Sequence, residues 1–101
     1  KDKKYIRDSY KLIQKEKAFL YSELSAFKAL QVWRPSANFV FCRIRDKRIN
    51  AGNLRDSLAL KGILIRDCSN FRGLDARFFR VAVRSRKENL KLLSALKGVL
   101  K

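Results

Sequence analysis

Histidine and methionine are absent from these 101 residues, which hold only two cysteines, one proline and nine acidic side chains. Two thiols without histidine cannot complete the usual tetrahedral zinc sets, so no metal is expected. Cys42 falls in an apolar stretch and Cys68 in a polar one. That usage fits a reducing cytoplasm better than a secreted, stapled fold, with a disulfide between the two left open. No apolar run approaches the roughly eighteen residues of a membrane span, so no membrane partner is expected. The chain begins at Lys1 without an initiator methionine, and a piece of a longer protein is the expectation. Scarcity of acid has the largest consequence: 25 Lys and Arg leave a net charge of +16, which calls for an anionic partner.

What is present reads as one globular domain. Hydrophobic residues make up 47% and aromatics 11%, enough to argue against disorder although 34% are charged. From about Lys4 to Leu30, Ile6, Tyr10, Ile13, Leu20, Leu24 and Phe27 recur at spacings of three and four, interrupted at Lys17. Tyr5, Leu12, Phe19 and Ala26 widen the stripe, predicting an amphipathic helix over 1–30 that packs on a sheet. Gln31-Val-Trp33 reads as a short strand and Pro35-Ser36 as a turn. Asn38 to Ile44 reads as a central strand with both faces largely covered. Arg45 to Arg48 is a solvated loop. Ala51, Leu54 and Leu58 mark a second helix, capped by Asn50 or Asn53 and stopped at Gly62. Ser85-Arg-Lys-Glu88 is a capping box opening a last helix with Leu92, Leu93, Leu96, Val99 and Leu100 inside.

Between those helices lie two apolar strands that each carry an arginine. In the first, Ile63 and Ile65 alternate with Leu64 and Arg66; in the second, Phe79, Val81 and Val83 alternate with Phe78, Arg80, Ala82 and Arg84. Their connection, Asp67 to Arg77, holds Asn70, Gly73 and Asp75, residues of turns and open loops. The predicted fold is α+β, a small antiparallel or mixed sheet of about three strands with helices on one face. The other face then carries Arg66 and Arg80. Arginines on such strands need an acidic partner, for which Asp67 and Asp75 are at hand, or a bound carboxylate or phosphate.

The run Arg66-Asp-Cys-Ser-Asn-Phe-Arg-Gly-Leu-Asp-Ala-Arg-Phe-Phe-Arg80-Val-Ala-Val-Arg84, followed by Lys87-Glu-Asn89, resembles the C-terminal small domain of fold-type I pyridoxal-phosphate (PLP) enzymes. Within them it is most similar to the L-threonine-O-3-phosphate decarboxylases of cobalamin synthesis, and next to the histidinol-phosphate aminotransferases. The aminotransferases usually have Gly-Thr after the last strand, where this chain has Arg84-Ser85. The resemblance reaches back through Pro35-Ser-Ala-Asn-Phe39. It implies that Arg80 and Arg66 bind the substrate's carboxylate and phosphate, in an order left open, and that Asn38 organises backbone beside them. It further implies that the first helix leads in from a large PLP-binding domain of the same parent chain. The cofactor lysine would lie in that domain, the parent would be a homodimer, and this piece alone would be inactive.

Three functions follow as expectations. The first is a substrate-anchoring domain of a decarboxylase acting on O-phospho-L-threonine or a similar phosphorylated amino acid. The second is the same domain of a histidinol-phosphate-type aminotransferase. The third, drawn from charge alone, is a small basic nucleic-acid-binding domain. Against it, the cations are spread along the chain and no nucleic-acid-binding signature is present. Arg72, Arg77 and Arg84 read as solvated, or as widening the positive field. Tyr5, Tyr10, Tyr21, Trp33 and the phenylalanines read as core or interdomain packing.

Overall fold

A computed structural model of the chain describes residues 3–35, 37–69, 73 and 75–100, with side chains described from Ser9 onward. The expectations placed on the Tyr5 and Ile6 side chains and on Ser36, Asn70 and Arg72 lie outside the described residues. In chain order the elements are α1 (Lys3–Ser25), β1 (Leu30–Val32), β2 (Phe39–Ile44), α2 (Ala51–Ala59), β3 (Arg66–Asp67), β4 (Phe78–Ala82) and α3 (Arg86–Leu100). The four strands form one sheet in the order β1-β2-β4-β3, antiparallel throughout. This is the expected α+β domain, with one strand more than the expected three.

Each strand shows its period of two in its burial. Val40, Cys42 and Ile44 of β2 and Phe79 and Val81 of β4 are buried on the helix-covered side, together with Leu20 and Leu24 of α1, Leu54 and Leu58 of α2 and Leu96 of α3. The opposite side is only half-covered. Phe39 and Phe41 are partly exposed there, so β2 does not have the two covered faces its sequence suggested. Trp33, Phe41 and Phe78 instead cluster on the open side, with ring centroids 5.5–5.9 Å apart.

Three boundaries differ from expectation, each for a physical reason. α1 stops at Ser25 instead of Leu30, because Ala26 and Phe27 tighten onto the carbonyls of Glu23 and Leu24 and Leu30 is recruited to pair with Ile44. The first short strand is accordingly Leu30–Val32, with Trp33 adding one further hydrogen bond to the Phe41 carbonyl. The strand expected at Ile63 to Arg66 shrinks to Arg66–Asp67, the residues that pair with Arg80 and Phe79 of β4, and Cys68 adds a hydrogen bond to the Phe78 carbonyl. The alternation survives without the ladder, with Ile65 buried and Leu64 77% exposed.

The helix signals are used much as read. Asn50 caps α2 by accepting the Asn53 N–H at 2.7 Å. At its other end Gly62, at φ +77°, and Ile63 donate to the Ala59 and Leu58 carbonyls, the left-handed stop that glycine favours. Asp46 grips Arg48 through both carboxylate oxygens within the predicted solvated loop. At the start of α3, Glu88 N–H donates to Ser85 Oγ, and that hydroxyl in turn donates to the Glu88 carboxylate.

One buried polar network ties α1 to α3. Glu16, 4% exposed, accepts from Arg86 Nε at 2.9 Å and from Asn89 Nδ2 at 3.1 Å. Glu16, Leu20 and Leu24 form the buried line, whereas Tyr10, Leu12 and Ile13 on the turns before it stand exposed. The Arg86 hydrogen bond chiefly, with help from Asn89, lowers the Glu16 pKa against the opposing effect of burial.

A depressed carboxylate pKa contributes stability that is present above its ordinary value, near 4.5, and is lost as pH falls through the folded value. Glu16→Gln should therefore be less stable than wild type at neutral pH, with the gap closing below pH 4.5. Urea melts of both proteins from pH 7 down to pH 3 check this. A second test concerns the short β3: Phe79→Ala should cost about 3–5 kcal/mol while Leu64→Ala stays within about 0.5 kcal/mol. Equal losses would put Leu64 in the core and contradict the fold.

Candidate anion site on the open face

The register of β4 builds the site. Arg80 is paired with Phe41 on one side and with Arg66 on the other, so the two arginines face each other across neighbouring strands on the side away from the helices. Like charges directly opposite on a sheet repel, and an anion between them removes the penalty. The Arg80 guanidinium lies 4.5 Å from the centroid of the Phe39 ring, a cation–π contact that holds it over the sheet.

Asn38, Arg66 and Arg80 line one open hollow of about 300 Å³, together with Phe39, Leu64, Ile65, Ala82 and Arg84. The residues singled out from sequence are thus brought together. Asn38 contributes through its backbone, its carbonyl accepting the Val83 N–H at 2.8 Å and carrying the β2–β4 pairing one step past Phe39. Leu64 supplies an apolar wall that the sequence reading had assigned only to a strand.

The acids expected as alternative partners are engaged elsewhere. Asp67 faces the helix side, where it meets Arg55 at 3.5 Å and accepts the Ser69 N–H at 2.8 Å. Asp75 accepts both the backbone N–H and the guanidinium of Arg77. Among the described residues, the lining of the hollow contains no carboxylate. Of the arginines read as widening the field, Arg77 is thereby paired outside the hollow and Arg84 lies in it.

Neither cysteine is suited to act as a nucleophile. Both are free and buried; burial pushes the Cys42 thiol up to about 12. Burial likewise raises Cys68, against the pull of Arg80 and Arg66. No cluster of three or more metal-ligating side chains occurs among the described residues. Among the described residues, the lining of the hollow has no lysine to attach an aldehyde cofactor.

Sequence reasoning missed the Glu16–Asn89 pair that supports the site from behind. Asn89 clamps the backbone of Arg84, its Oδ1 accepting the Arg84 N–H at 3.1 Å and its Nδ2 donating to the Arg84 carbonyl at 2.9 Å. The available signal was spacing: Glu16 stands four residues before Leu20 and eight before Leu24 on α1, a carboxylate in the apolar line.

No family model matches the chain. Over 96 residues it is 36% identical to the histidinol-phosphate aminotransferase of Methanothermobacter thermautotrophicus, covering 95% of this chain and 26% of that protein. It is 39% identical over 88 residues to the threonine-phosphate decarboxylase of Salmonella typhimurium, covering 87% of this chain and 23% of that protein. The crystal structure of the histidinol-phosphate aminotransferase from Clostridium acetobutylicum superposes with a TM-score of 0.89 at 44% identity, over 98% of this chain and 29% of that one. The chain therefore spans about a quarter of the length of the curated relatives it matches. Shared sequence, shared fold and this partial coverage together identify the chain as a homologue of the C-terminal part of fold-type I PLP enzymes, the group of histidinol-phosphate aminotransferases and threonine-phosphate decarboxylases.

Proposed function

We propose that the chain is the substrate-anchoring C-terminal domain of a PLP-dependent L-threonine-O-3-phosphate decarboxylase that makes aminopropanol phosphate for cobalamin synthesis. The observation that carries this reading is the pairing of Arg66 with Arg80 on the open face, in one hollow with Asn38. A substrate with a carboxylate at one end and a phosphate at the other needs planar donors on a rigid support, and adjacent strands provide that. Arg80 sits on the inner strand and Arg66 on the edge strand. In this reading the chemistry of the cofactor belongs to the rest of the parent, and the described lining of the hollow, which includes Arg66 and Arg80 and no lysine, anchors the substrate.

Exposed Tyr10, Leu12 and Ile13 on α1 suit contact with the large PLP-binding domain of the same parent chain. In this reading the parent works as a cytoplasmic homodimer. Arg84-Ser85 after β4 favours the decarboxylase. The histidinol-phosphate-type aminotransferase is the second reading, favoured by the 44% identity to the Clostridium structure. The basic nucleic-acid-binding reading loses ground, because acids among the described residues engage Arg48, Arg55, Arg77, Arg84 and Arg86.

Two measurements test this. PLP mixed with the chain and reduced by borohydride should label several surface lysines weakly; stoichiometric labelling of a single lysine would show that the chain holds the cofactor itself. The intact parent with PLP and O-phospho-L-threonine should release carbon dioxide and aminopropanol phosphate without a keto acid. Arg80→Lys should lower kcat/KM by about tenfold or more, because a point charge cannot reproduce a two-pronged contact. Amino transfer from histidinol phosphate to 2-oxoglutarate, with phosphothreonine untouched, would select the second reading.

A further inference from the structure

A leucine exposed on its own is ordinary; Leu64 is unusual in where it stands. It is 77% exposed and forms part of the wall of the hollow that contains Arg66 and Arg80. Its backbone is held on both sides. Before it, Gly62 and Ile63 donate to the Ala59 and Leu58 carbonyls; after it, Ile65 is buried in the core and Arg66 pairs with Arg80. Alternation then turns Leu64 to the side away from the helices, the side on which Arg66 also lies. The other apolar residues of the described lining offer less surface. Ile65 is 8% exposed, the Phe39 ring lies 4.5 Å beneath the Arg80 guanidinium, and Ala82 carries a single methyl group.

We infer that Leu64 is a specificity-determining residue of the hollow: the hydrocarbon between a ligand's anionic groups packs against it, and this contact makes the hollow favour a methyl branch on that hydrocarbon. The inference rests on the anion-site reading above and deepens it, but it concerns the carbon skeleton and not the charges. An arginine contact fixes an oxyanion by charge and direction and is indifferent to the carbon attached to it. Discrimination between skeletons therefore needs an apolar group beside the anion contacts. Leu64 provides one on a backbone that is already ordered, and leucine gives up little side-chain freedom when it is covered. A methyl group laid against it removes apolar surface of both partners from water.

The test measures binding to the full-length, PLP-loaded parent by titration calorimetry. The probes are (R)-3-phosphooxybutanoate and 3-phosphooxypropanoate. Both carry one carboxylate and one phosphate and neither has an amino group to react, so they differ by one methyl group alone. Wild type should bind the butanoate about fourfold or more tightly, the effect of burying one methyl group, and with a more negative heat-capacity change. Leu64→Ala, and the polar Leu64→Asn of comparable size, should bring the two probes to within about twofold, whereas Leu64→Met should retain the preference. Leu64 takes no part in the buried core, so these variants keep the fold. Arg80→Gln should weaken both probes alike and leave the methyl preference standing. A wild type without methyl preference, or an undiminished preference in Leu64→Ala, overturns the inference, the second all the more if that variant lowers the melting temperature of the parent, since Leu64 is then covered by protein. The anion-site reading survives that outcome if Arg80→Gln weakens both probes, and falls with the inference if it weakens neither.

Discussion

The register of β4 between β2 and β3 is the constraint on which the rest depends. With Phe79 opposite Cys42 and Asp67, and Arg80 opposite Phe41 and Arg66, Phe79 and Val81 of β4 face the helices while Phe78, Arg80 and Ala82 face away. A slip of one residue would send Arg80 into the core and Phe79 into solvent. Burial of Phe79 and Val81 makes that slip expensive, so the same apolar contacts that stabilise the sheet also aim the guanidinium groups. The position of Arg66 and Arg80 is therefore a by-product of core packing, to which Ile65 of the same hollow contributes.

Electrostatics then explains why an arginine-rich face is tolerable in a chain so short of acid. Its nine carboxylates cannot neutralise 25 cations, and Glu16, Asp46, Asp56, Asp67, Asp75 and Glu88 each meet an arginine. Side-chain hydrogen bonds from Arg48 and Arg86 chiefly lower the pKa values of Asp46 and Glu16, and the Arg77 backbone N–H chiefly lowers that of Asp75. The hollow receives none of them in its described lining. The Phe39 ring lies under Arg80, and Arg84 pairs with Glu88 outside that lining.

The sequence made the covered face and the arginine face legible because both follow from strand alternation, which needs no knowledge of partners. It made the caps at Asn50, Gly62 and Ser85 legible because those are local chemistry. It did not reveal how little of Ile63 to Arg66 is paired, or that α1 yields Leu30 to a strand, because those depend on what a distant segment offers as a hydrogen-bond partner. The convergence of Arg66 and Arg80 had one uncertain link, the register, which no residue near either of them encodes. Glu16 was hidden for a different reason: a glutamate in an apolar stripe is ordinarily a solvated interruption, and its partners Arg86 and Asn89 lie seventy or more positions away.

That hidden pair shows how a domain of this size supports a precise surface. Asn89 is bonded forward to the backbone of Arg84 and backward to Glu16, so one hydrogen-bonded network joins the end of β4, the first turn of α3 and the middle of α1. The apolar residues of α1 that precede Glu16 are exposed, and whatever covers Tyr10, Leu12 and Ile13 acts on the turns just before the clamp. A load on that end of the helix is therefore carried to Arg84 through three hydrogen-bonded groups and no flexible loop. Buried polar groups of this kind contribute little net stability, but they penalise every arrangement in which one of them loses its partner. The consequence is a rim residue held in backbone position by Asn89, its guanidinium paired with exposed Glu88, beside two arginines carried on paired strands.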